Sequence, residues 1–143
     1  QLAAVEAMID ANKIETFRNQ ALGAGARLAG LKGDWERAYA LGQDYLRGNP
    51  TDPFVHTAIA ECLRDLGRLD EAEQEIRLAL KRIPGSAAAY VELARVLQAR
   101  GDTAGARTAL ERSLAMWPLA EPDFEPASEA RALLAALVAD PTR

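Results

Sequence analysis

Nucleophilic or metal chemistry in this 143-residue chain would fall first to His56, Cys62 and the three serines, Ser86, Ser113 and Ser128. Such chemistry needs a nucleophile, a base and a group that orients them, and one His with three Ser offers few such sets. His56 and Cys62 stand six residues apart, about 600° (240° net) around a helix, so they do not share a face. Neither has a second ligand of its own kind. The run from Gly23 to Gly30, with Gly25 between, resembles a glycine-rich phosphate loop. A dinucleotide fingerprint would need Gly where Leu28 stands and a strand before it; a P-loop would need Lys where Leu31 stands. The run is expected instead to pack helices closely through small residues. Carboxylates are plentiful, but Glu73 and Arg77, four apart, read as a solvated helix pair worth about 0.2–0.5 kcal/mol. The expectation is a chain with no catalytic residue, metal ligand or cofactor site, and not an enzyme.

The composition says which elements carry these residues. Ala occurs 30 times and Leu 19 times, aromatics make up 6%, and β-branched residues are few. Ala and Leu lose least on entering a helix, so the chain should be all-helical rather than a β-sandwich or barrel. No stretch approaches the roughly 18 apolar residues of a membrane span. One Cys excludes an intramolecular disulfide framework. The net charge of −4 argues against a nucleic-acid partner, which usually calls for a basic domain. Fourteen Arg against three Lys, with so much Ala, suggests a GC-rich bacterial genome, and hence a bacterial cytoplasm or periplasm. The chain starts at Gln1, which reads as an excised domain or a processed product.

The helices repeat. Pro50, Pro84 and Pro118 are 34 residues apart, and so are Gly33, Gly67 and Gly101. Ala26, Ala60 and Ala94, then Ala38, Ala72 and Ala106, then Leu46, Leu80 and Leu114 follow the same spacing. In residues 53–86 a first helix opens at Pro53, a favoured first helical residue. Its apolar stripe is Val55, Ile59, Cys62, Leu63 and Leu66, and Gly67 ends it. A second helix buries Leu69, Ala72, Ile76, Ala79 and Leu80 and stops before Pro84-Gly85. So short a turn makes the two helices antiparallel neighbours. Asp34 and Asp102 are positioned to cap second helices. The Ala columns are where helices cross closely; a Leu there would cost about 1–3 kcal/mol. His56 shares a column with Leu22 and Tyr90, and Cys62 shares one with Leu28 and Val96, so both read as packing residues. Trp35 and Trp117, beside helix ends, are expected to pack between units. In the first unit Gly25 and Gly42 replace large residues, and the Tyr45 ring is expected to fill the space they leave.

A 34-residue helix–turn–helix unit with these columns resembles the tetratricopeptide repeat (TPR). The resemblance covers 19–52, 53–86 and 87–120. It implies an all-α fold, an α-solenoid of antiparallel helix hairpins, forming a single domain over 1–143. Residues 1–18 match the second helix of a preceding, truncated unit, although Thr16 stands where Pro is expected and a helix running on into Gln20 is the alternative. Residues 121–126 read as a Pro-rich acidic linker. Residues 127–140, with Leu133, Leu134, Leu137 and Val138 on one face, read as a capping helix outside the repeat register.

In that family the first helix of each hairpin lines a concave groove. Carried over column by column, the groove here would show Gln20, Arg27, Phe54, Thr57, Glu61, Arg64, Val91, Arg95 and Gln98. The Lys/Asn/Arg clamp with which family members hold chaperone tails is absent: Gly23 and Arg27, Ala58, Ala88 and Glu92 stand at those places. The resemblance therefore implies a non-catalytic scaffold that binds a peptide or helix of a partner protein, one with an acidic group to meet Arg27, Arg64 and Arg95. The alternative is a substrate-positioning or regulatory module of a larger transferase or hydrolase. Self-association through the N-terminal helix is a third reading.

Overall fold

A computed structural model describes residues 2–117 and 125–139, and these form seven helices with no strand among them. The chain divides between Pro50 and Thr51 into two compact units. The first holds α1 (Leu2–Leu31) packed on α2 (Trp35–Gly48). The second holds α3 (Pro53–Asp65), α4 (Leu69–Arg82), α5 (Ala87–Ala99), α6 (Thr103–Ala115) and α7 (Glu125–Ala139).

The glycine column makes the hairpins. Gly33, Gly67 and Gly101 have φ of 73°, 76° and 83°, the left-handed region where a Cβ is strained. Each lies two residues past the last residue of a helix, and the amide that follows it reaches back five residues. Asp34 N–H donates to the Ala29 carbonyl (2.9 Å), Arg68 N–H to Leu63 (2.8 Å) and Asp102 N–H to Leu97 (2.9 Å). The chain thus reverses while satisfying carbonyls that the helix end would leave bare. As expected, Asp34 and Asp102 cap the second helices, accepting from Arg37 N–H (3.3 Å) and Gly105 N–H (2.9 Å). Asp52 and Ser86 cap α3 and α5 in the same way. Arg68, which precedes α4, caps nothing; its guanidinium grips Glu71 instead.

In the second unit α3 packs on α4, α5 on α6, and α5 also on α3 and α4. Ala60, Ala72 and Ala106 are fully buried, as the close-crossing argument requires. Around them lie Ile59, Leu63, Ile76, Val96 and Leu110. Ser113, buried on α6, donates its hydroxyl to the Ala87 carbonyl of α5 (3.0 Å), so its polar atom is not stranded. α7 packs on α6, and its Ala130 and Leu137 complete a core with Val91, Ala94, Ala106, Ala109 and Leu110. The capping helix starts two residues earlier than the sequence suggests, at Glu125; residues 121–124 of the expected linker and Asp140 lie outside the described residues.

Three local readings change. Of the two expectations for residues 1–18, the helix running on into Gln20 is the one observed: α1 runs unbroken from Leu2 to Leu31. No Pro occurs in the chain before Pro50, and with Thr16 where the repeat needs its breaker nothing stops the helix. Residues 2–18 are therefore part of one long first helix rather than the second helix of an earlier hairpin. The Tyr45 ring does not occupy the space at Gly25: the side chain closest to where a β-carbon would stand is Leu41, 3.2 Å away. Trp35 packs inside its own unit, against Gly30 of α1, and Trp117 packs against the core of the α5–α6–α7 assembly.

The left-handed turn gives a direct test. Gly101→Ala is expected to destabilise the protein by about 1–2 kcal/mol, the cost of a Cβ in that region. A shift in urea midpoint at unchanged slope is the readout; an unchanged midpoint would contradict this account of the turn.

Candidate functional site

α3 and α5 are the first helices of their hairpins and lie side by side in the second unit. The residues expected to line a groove divide into three groups. Phe54, Glu61 and Gln98 are exposed, Phe54 at 75%. Thr57 is half-buried, its hydroxyl turned back to the Pro53 carbonyl (2.9 Å). Val91 is only 6% exposed and belongs to the core that α7 completes, so it cannot meet a ligand. Gln20 and Arg27 are exposed on α1 of the first unit.

Arg64 and Arg95 are not free cations. Both are bound to Glu92, a buried carboxylate of α5 that sequence reasoning did not select as a site residue. Arg64 Nε donates to Glu92 Oε1 (2.6 Å), while its Nη1 bonds Asp65 Oδ1 (2.9 Å). Arg95 Nη1 reaches Glu92 Oε2 (3.4 Å), and its Nη2 binds Glu129 of α7. One chain of ionic contacts thus runs from α3 through α5 to α7. Its signal in the sequence was a column, Ala24 and Ala58 giving way to Glu92: an acid where the sister units carry a methyl. Burial pushes the Glu92 carboxyl above the usual carboxylate range, although Arg64 and Arg95 draw it back; the nearby Glu61 adds to the rise. Burial also works against the Arg64 charge, but the bond to Glu92 outweighs it and the guanidinium is held more firmly protonated.

The residues with chemical potential are otherwise engaged. His56 is buried, and its Nδ1 lies 2.5 Å from Glu75 Oε2, tying α3 to α4. Burial, with Glu61 and Asp65 adding to it, pushes the Cys62 thiol up to about 11, away from a reactive thiolate. Among the described residues no group of three or more His, Cys, Asp or Glu is arranged to hold a metal ion, and no helix is long and apolar enough to cross a membrane. The Gly23–Gly30 run is helical throughout, with Gly25 and Gly30 against Leu41 and Trp35.

Residues 31–85 match the tetratricopeptide repeat family. Over those residues the chain is similar to the tetratricopeptide repeat. No curated protein matches the sequence. Among solved structures, the TPR fold here is similar to the type III secretion translocator chaperone SycD of Yersinia enterocolitica. There the identity is 16%, over 87% of this chain and 86% of that one, with a TM-score of 0.76. It is similar to PcrH, a Pseudomonas aeruginosa protein, in a complex with the chaperone binding region of PopD (20% identity, 85% and 92% covered, TM-score 0.75). It is also similar to the TPR2B domain of yeast Sti1 in a pHsp70 complex (18% identity, 87% and 98% covered, TM-score 0.77). At these identities the likeness is one of fold.

The raised Glu92 carboxyl sets a pH dependence with a definite sign. A glutamate whose folded pKa lies above its unfolded value favours the fold most when protonated. That contribution is full below the ordinary glutamate pKa and is lost as pH rises through the folded value. The stability of wild type relative to Glu92→Gln is therefore expected to fall as pH rises from about 4 towards 7, above the ordinary carboxyl value, where a raised group titrates. Denaturant titrations across that range measure it, and an opposite slope would contradict the assignment.

Proposed function

We propose that the protein is a non-catalytic interaction scaffold, and that the face of α3 and α5 in the second unit receives a peptide or helical segment of a partner protein. The observation that carries this reading is Phe54. A phenyl ring at 75% exposure on the first helix of a repeat is costly to leave in water, and aromatic side chains are the usual anchors of interfaces. Ala58 and Ala88, both exposed, leave room beside it for a ligand side chain. That PcrH and the Sti1 domain hold segments of other proteins supports the same use of this fold here. The tied His56 and the buried Cys62 leave little for catalysis to use.

A second reading concerns α1. Every side chain described between Ala4 and Thr16 is exposed, Met8 at 67%, so this half of the helix offers a surface for self-association.

A photo-crosslinking residue placed at Phe54 or Gln98 is expected to trap a partner in the native host, while one at Leu78 on α4 is not; equal trapping from both would overturn the assignment of the face. Phe54→Ala should weaken partner binding about tenfold or more, the loss of one hot-spot side chain, with the urea midpoint unchanged. For α1, a concentration-dependent mass in sedimentation that Met8→Lys abolishes is the expected sign of self-association, and a monomer at every concentration excludes it.

A further inference from the structure

The charges left available on the α3–α5 face are acidic. Along α3, Phe54, Ala58, Glu61 and Asp65 are all exposed, at spacings that keep them on one stripe. Beside Glu61 and Asp65 lie Arg64 and Arg95, but Glu92 neutralises one of these positive charges from beneath and Glu129 engages Arg95 from α7. Four carboxylates (Glu61, Asp65, Glu92, Glu129) thus face two guanidiniums. Glu61 is exposed and, among the described residues, no cation binds it; its charge is nonetheless felt at Arg64, Glu92 and Cys62. Of the arginines that the sequence offers to an acidic ligand, Arg64 and Arg95 are occupied, and the free charge beside them on α3, Glu61, has the opposite sign.

We infer that the segment received on this face is basic: an extended stretch carrying an apolar side chain for Phe54 and Ala58 and a Lys or Arg for Glu61. The inference rests on the scaffold reading above and adds the chemistry of the occupant. The spacing follows from helix geometry. Phe54 and Glu61 are seven residues apart, about 10 Å along the helix axis, which an extended peptide covers in about three residues. An apolar residue followed three positions later by a basic one matches both anchors. An acidic segment would meet Glu61 and Asp65 head on and would have to break Arg64 or Arg95 away from Glu92, leaving that carboxylate buried and unpaired.

The test is fluorescence anisotropy on the full chain at low ionic strength, where such charges are least screened. The probes are two end-blocked, labelled peptides: Leu-Ser-Ser-Lys-Leu-Ser-Ser-Lys and its counterpart with Glu for Lys. The Lys peptide is expected to bind at least fivefold more tightly than the Glu peptide. Glu61→Lys should weaken the Lys peptide at least threefold and strengthen the Glu peptide. Glu111→Lys, the same charge change on an exposed position of α6, should leave both unchanged. A Glu peptide that binds as well as or better than the Lys peptide would overturn the inference, and so would an effect of Glu111→Lys equal to that of Glu61→Lys. If the two peptides bind alike and Phe54→Ala weakens both, the scaffold face stands and its basic preference falls. If neither peptide binds, or Phe54→Ala changes nothing, both readings fall.

Discussion

A 34-residue period works in this chain because each hairpin reverses within three residues, at a glycine in the left-handed region. With φ between 73° and 83° at Gly33, Gly67 and Gly101, the last turn of the first helix folds its own carbonyls onto the next two amides, and the second helix can start at once. The antiparallel pairing, the placement of Asp34 and Asp102 as caps, and the meeting of Ala columns at the crossings all follow from that reversal. A longer turn would let the helices slide, and the methyl-sized contacts would no longer coincide.

Most of the fold was legible because it is written in residues with few alternatives. Gly at positive φ, Pro beyond a helix end and Ala at a crossing each admit almost no substitute, so their columns survive into the sequence as a clean period. The long α1 was harder to see, since it is defined by something missing. Thr16 does not forbid the usual break; it only fails to impose one, and helix propensity then carries the chain through. The Leu41 contact at Gly25 was hidden for a different reason. A small residue announces a close approach without saying which of several nearby side chains, Leu41 or Tyr45, makes it.

The exposure of part of the candidate face was legible, and its charge was not. Column arithmetic put Phe54, Glu61 and Gln98 on an exposed stripe, and all three are exposed. It could not show that Arg64 and Arg95 turn inward to a common glutamate, because pairing between helices depends on side-chain reach and burial rather than on spacing along one helix. Nor could it show that α7 buries Val91, since α7 lies outside the repeat register. A buried ionic chain of this kind is weak evidence for stability, because the desolvation of Glu92 offsets much of the attraction. It is better understood as fixing which neighbours α3, α5 and α7 accept.

A solenoid is in principle a polymer without a stopping rule: each unit presents to the next the surface on which it was itself laid down. α7 supplies the rule. Its inner face gives Ala127, Ala130 and Leu137 to the last hairpin, while its outer face, outside the 34-residue register, does not reproduce the columns on which a hairpin is laid down. The last hairpin is thus covered by a helix whose outer surface is not a copy of the one beneath it.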